Sequence, residues 1–306
     1  MNKFDDRLYS AFQEAFVETD KLIATNPDLS EDFKKISFFA HQVLPECFPS
    51  DFESLKKIWL FPILESGLEL EYALLFAKAG VYKIAYMSLR NFLELSLVCF
   101  HFLLMAKGKG NEWVKGQIST PFKKEILNVL FDNEDFLHFD QHLQVKESIN
   151  LNYSALSDIC HTRGEPCSHM ALSKGNFPQC IEESLQAFIA RAKDVIDIVI
   201  TCFVGVNPII LFSLPLDEKL GMNGPMSGFL QEYEVETLRK LLKPESLNAL
   251  LAYYEADPGV LSTRQYFEDL PDITEKKFKQ QIADFDKFMK EMEEINVQQK
   301  KRGHRK

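Results

Sequence analysis

Apolar residues recur along the chain at steps of three and four, and no stretch alternates apolar with polar as a half-buried strand does. The pattern therefore predicts helices almost throughout. Residues 3–25 read as an amphipathic helix that ends before "NPDLS", and Ser30 is the expected N-cap of a second helix over 31–44, stopped near Pro45. "SDFE" (50–53) has the form of a capping box. Pro62 is expected to break or kink the helix it opens, and helix resumes over 64–79 up to Gly80. Residues 81–106 form the longest apolar run, closed by "KGKGN". Thr120 before Pro121 suggests an N-cap with proline at the first helical position of a short helix to about 131, followed by helices over 134–148 and 151–162. "RGEPCSHMALSKGNFP" reads as loop, and 178–204 as a long helix with an apolar second half.

Glycine and proline are densest in "SLPLDEKLGMNGPMSG", which suggests a linker over 213–228. Helices follow over 229–242, 245–256, 260–268 and 274–294, with Asp272 or Thr274 as cap of the last. The expected architecture is an all-α multi-helix bundle over 1–212, a C-terminal helical extension over 229–295, and a basic disordered tail over 296–306.

Composition adds three constraints. Of 306 residues 46% are hydrophobic and 26 are Phe, enough for a thick helix-on-helix core. The net charge of −10 argues against a whole surface devoted to nucleic acid, although a local basic patch is compatible with it. Six scattered Cys suggest reduced thiols, and the acidic, amphipathic start lacks the apolar stretch of a signal peptide, so a cytoplasmic protein is expected. Two segments approach membrane-spanning hydrophobicity, but one carries Arg90, Asn91, Glu94 and His101 and the other Asp197, Asn207 and Pro208. Both are read as buried core helices, and no membrane partner is expected.

Candidate chemistry gathers in two places. Tyr86, Arg90, Glu94 and His101 fall within roughly 80° of the 81–106 helical wheel. A polar stripe on a buried helix must face partners or a cavity, because an unpaired buried charge is costly. Arg90 and Glu94, one turn apart, can pair or hold a third group. The alternative is an internal network that sets helix register. In "YSALSDICHTRG", Ser154, Asp158 and His161 share a face, with Tyr153 and Ser157 beside them. Asp158 is placed to orient His161, or simply to tie down the helix end, and Gly164 is the expected left-handed residue after the helix. Cys160, His161, Cys167, His169 and Cys180 are ligand types in a C-x6-C-x-H-x10-C spacing without a close knuckle, so no metal or other cofactor is expected. His138 and His142 share a helix face but lack the Glu of a zinc-protease motif, and read as solvent-facing. No phosphate-binding glycine loop or GxSxG elbow occurs.

"SLRNFLELSLVCFHFL" followed by "YSALSDICHTRG" resembles the HEPN superfamily of bacterial all-α domains, over residues 60–205. Many of these act as metal-independent RNases of defence and toxin systems. The resemblance implies dimerisation and a catalytic Arg–His pair, met here by Arg163 and His169 with His161 as competitor, and supported by Arg90 and Glu94. Gly164 after the Arg and Pro166 within the motif depart from the family's pattern. Three functions compete. The leading one is an interaction module of a defence or regulatory system, with a protein partner or a second copy of itself. The second is an RNase acting on RNA through Arg163 and His169. The third is a small-molecule enzyme with a pocket between 81–106 and 151–163.

Overall fold

The computed structural model describes residues 3–47, 61–105, 109–175, 177–221, 228–284 and 287, and among these the chain is all helix and turn, without a strand. Helices α1 (Lys3–Thr25) and α2 (Pro27–Phe38) are separated by Asn26 alone. The extended Asn26 accepts the Leu29 N–H on its side chain at 3.1 Å and so caps α2. Ser30, the expected cap, lies inside the helix, because Pro27 already fits the first turn. Pro45 does not stop the helical path. A π turn over Phe39–Val43 changes the bonding register where a regular helix would press the proline ring on a carbonyl, and α3 (Leu44–Glu46) continues. "SDFE" lies outside the described residues. Pro62 stands in the first turn of α4 (Phe61–Lys78) as described, and the helix it was expected to break or kink falls on residues before Phe61, outside the described residues.

Gly80, at φ 71, turns α4 back into α5 (Tyr82–Leu104). After α6 (Lys109–Val114), α7 (Lys123–Leu130) is capped at Phe122, whose N–H donates to the Glu125 carboxylate at 2.7 Å. Thr120, expected as the cap, instead accepts the Trp113 indole N–H at 3.0 Å. The break between α8 (Glu134–Leu143) and α9 (Val145–Cys160) falls at the left-handed Gln144, earlier than periodicity suggested. Asp140 explains the position, since its carboxylate accepts the Lys146 N–H at 2.8 Å. The segment expected as loop holds a 3₁₀ turn (Glu165–Cys167) and the single-turn α10 (His169–Leu172). Then come α11 (Glu182–Val206), α12 (Leu216–Leu220), α13 (Glu232–Leu241), α14 (Pro244–Tyr254) and α15 (Pro258–Asp269). Residues 275–284 are helical, and Thr274 accepts the Lys277 N–H on its hydroxyl.

The core is built on α5 and α11. Tyr82 reaches Ile181, Tyr86 packs edge-on against Phe188 at 5.5 Å, and Phe100 meets Phe203 at 4.7 Å. The three contacts advance together along both helices, which therefore run parallel. Both of the segments expected as core helices are buried along most of their length. α5 is long and apolar enough to cross a membrane, and its apolar window is largely packed against other helices. Asp197, buried in α11, accepts the Lys243 N–H at 2.8 Å and the Ser246 hydroxyl at 3.1 Å, which satisfies the start of α14.

The chain divides into two compact units. The larger comprises Met1–Ser213 with Pro225–Leu261, and the smaller Leu214–Gly224 with Ser262–Lys306. Helices α13 and α14 thus belong to the larger unit. In the smaller, Lys219 pairs with Asp272 at 2.7 Å and the Ile273 N–H donates to the Glu218 carbonyl at 2.8 Å. The tail over 296–306 is outside the described residues.

Candidate functional site

Helices α5 and α9 pack antiparallel, with Lys83 against Thr162 and Arg90 against Tyr153. The contact on which a shared site depends is therefore present. Arg90 stands at its centre. Its Nε donates to Glu94 Oε1 at 3.0 Å, and its Nη2 lies 2.9 Å from the same oxygen. Nη2 also donates to the Tyr153 hydroxyl at 3.4 Å, and the guanidinium lies 5.2 Å from that ring's centre. Nη1 faces His161 Nε2 at 3.4 Å, a contact in which the imidazole accepts when its proton sits on Nδ1. The Cys160 thiol is a further partner. Burial pulls the guanidinium pKa down, but its bonds to Tyr153, Glu94 and Cys160 outweigh this and raise it, so the cation is permanent. Tyr153 is raised by burial and by its bond to Glu94. Lys123, from α7, places its ammonium 4.8 Å from the centre of the same tyrosine ring.

The stripe read on α5 is divided by the fold. Arg90 and Glu94 face α9. Tyr86 turns to Phe188 on α11, and burial raises its hydroxyl. His101 is buried beside Phe102 at 5.1 Å, with Nδ1 unpartnered, and burial keeps its imidazole below the usual range.

The end of α9 corrects two expectations. Asp158 binds Arg163 at 3.2 Å rather than His161. The left-handed residue is Thr162, at φ 52, not Gly164. The Thr162 N–H reaches the Ile159 carbonyl at 3.2 Å and the Arg163 N–H that of Asp158 at 2.8 Å, the two bonds of a Schellman motif. A β-branched residue is strained in this conformation. The Thr162 hydroxyl accepts a short hydrogen bond from Lys83, which anchors the turn to α5. Gly164 has positive φ too, but with an extended ψ of 169, as the lead into the 3₁₀ turn.

The Arg163 side chain is 78% exposed, its ion partner being Asp158. His169 opens α10, where partial burial and the Lys83 ammonium lower its pKa. Ser157 lies half-buried on α9, its carbonyl accepting the His161 N–H at 2.9 Å. Lys83 and Lys123, both absent from the sequence-level site, complete its basic rim. Lys83 lies seven residues before Arg90, a spacing that keeps it on the same helix face, whereas nothing in the sequence brings Lys123 to Tyr153.

Among the described residues no three His, Cys, Asp or Glu side chains converge as a metal site would require. His138 stacks on Tyr253 at 4.2 Å instead of facing solvent freely, and His142 lies 4.6 Å from it, ring centre to ring centre. A groove of about 660 Å³ runs past Asp32, Lys193, Asp194 and Lys243, where Lys193 pairs with Asp32 and Lys243 with Asp194. Arg90, Tyr153 and His161 do not line it. The chain matches no protein-family profile, no curated protein and no solved structure.

Proposed function

We propose that the chain is a helical interaction module of a bacterial defence or regulatory system, in which the Arg90 cluster joins α5 to α9 rather than cutting a substrate. One observation carries the reading: Arg90 is committed to Glu94, Tyr153, His161 and Cys160, all within the same chain. A guanidinium satisfied in this way has little left for a scissile phosphate. Arg163, the alternative cation, is bound to Asp158 on an exposed turn. Removing one partner of a part-buried ion pair strands the other, so the network's chief effect is on stability.

The test compares RNA cleavage in EDTA with unfolding by urea. The parent protein is expected to leave a broad RNA panel intact. Arg90→Ala is expected to lower stability by about 2 kcal/mol, with partial recovery in Arg90→Lys. Cleavage by the parent, lost in folded Arg163→Ala or His169→Ala, would overturn the reading.

A second reading, a metal-independent RNase of HEPN type, is favoured by one feature. The exposed His161 faces Arg90 at 3.4 Å, with Lys83 and Lys123 nearby. A guanidinium beside an imidazole can stabilise phosphoryl charge while the ring moves a proton. Under this reading His161, not His169, is the essential histidine, and His161→Ala abolishes cleavage.

A further inference from the structure

Helix α4 has an unusual outer face. Its most exposed positions are Phe61, Leu64, Leu68, Tyr72 and Leu75, every one of them apolar and 45–49% exposed, with the Phe61 ring 6.4 Å from that of Trp113. Its opposite face is buried against the bundle through Ile63, Leu70, Ala73, Leu74 and Ala77. A helix apolar on both sides needs a second partner. An apolar stripe of a few hundred Å², the size of the largest patch on many monomers, is often functional.

The steps between the five residues are three, four, four and three. They average the 3.5-residue repeat of a helix–helix seam. They also read the same in both directions about Leu68. We propose that this face pairs with the same face of a second copy of the chain, antiparallel, across a two-fold axis at Leu68. Leu68 then meets Leu68 of the other copy, Leu64 meets Tyr72, and Phe61 meets Leu75. A two-fold interface requires this self-complementarity, which a heterologous partner would not.

The stripe by itself accounts for only the centre of such an interface. Five half-exposed large side chains offer on the order of 400 Å² per copy, about half of the roughly 800 Å² each partner buries in a standard interface, and the flanks can supply the rest. The pairing brings Glu65 opposite Glu71, but Glu71 is already held by Ser37 at 3.0 Å and His41 at 3.2 Å. Glu65, Glu69 and Glu71 border the stripe, so an anionic membrane surface is a poor occupant. The inference rests on the interaction-module reading and names its partner.

The experiment is sedimentation of the full chain over a range of concentrations, with cysteine cross-linking. The parent is expected to dimerise reversibly. Leu68→Lys sets two like charges against each other on the axis, and is expected to weaken the dimer by ~100-fold or more while leaving the helical content unchanged. Leu68→Cys is expected to cross-link to itself on mild oxidation, above the background of the native thiols. Leu75→Cys is not, because two copies of that position lie about 20 Å apart across the axis. The cross-linking pair decides the matter if Leu68→Lys fails to fold. A parent that stays monomeric, a dimer indifferent to Leu68→Lys, or Leu75→Cys linking as fast as Leu68→Cys would overturn the proposal. A monomer that also leaves RNA intact would sink the self-pairing alone, and a dimer that cleaves RNA would sink the module reading alone.

Discussion

Thr162 is the residue with the sharpest conformational demand. It holds a left-handed backbone at the end of α9, a conformation costing an L-residue about 1–2 kcal/mol. Its hydroxyl is retained by Lys83, which recovers part of that cost. Two substitutions separate the terms. Thr162→Gly relieves the strain and loses the bond, so a net gain of about 0.5 kcal/mol is expected. Thr162→Val keeps the branched carbon and loses the bond, so a loss of about 1 kcal/mol is expected. Urea unfolding of the two variants measures the difference. Sequence reading placed the left-handed residue at Gly164, two positions late, because glycine is the usual occupant. The bond from Lys83 crosses 79 residues of chain, and no local pattern encodes it.

Between elements, the α4–α5 hairpin depends on Gly80. A side-chain carbon there would lie 2.4–2.7 Å from the backbone of Gln179, on the approach to α11. Its positive φ adds strain for any other residue. Gly80→Ala is therefore expected to cost about 3 kcal/mol or more, read as a lower denaturation midpoint with near-native helical content. The turn was legible from the glycine alone, but the close approach of Gln179 was not. Helix existence followed well from periodicity. Helix ends did not, and the errors share a cause. Asn26 and Glu125 satisfy end groups that Ser30 and Thr120 were expected to satisfy, and Asp140 starts α9 where periodicity marked no break. Several residues in each stretch were chemically competent to cap, and the backbone geometry selected among them.

At the scale of the whole molecule, proton binding links a few buried acids to global stability. Burial and the neighbouring Glu234 push the Glu46 carboxyl from 4.5 up to about 7. The folded state thus holds this proton more tightly than the unfolded chain. The corresponding stability is fully present below pH 4.5 and is lost as pH rises through about 7. Glu46→Gln, neutral throughout, is expected to remove this component of the decline. Relative to the parent it should gain on the order of 1–2 kcal/mol between pH 5 and pH 8, after allowance for solvent screening. Urea titrations at the two pH values measure it. A parallel slope in parent and variant would show that Glu46 does not carry the linkage.

The sequence by itself determined the all-helical class and the burial of both apolar helices, and it placed Glu94 within reach of Arg90. Each of these depends on residues close in the chain, where a helical repeat brings side chains together at fixed steps. Tertiary structure alone decided that α5 meets α9, that Tyr153 and His161 converge on Arg90 while Tyr86 and His101 turn elsewhere, and that Asp158 takes Arg163. Those contacts join residues tens of positions apart, or choose between equally competent neighbours. They follow from how helices of given width and side-chain volume fill one core, a condition that no single segment contains.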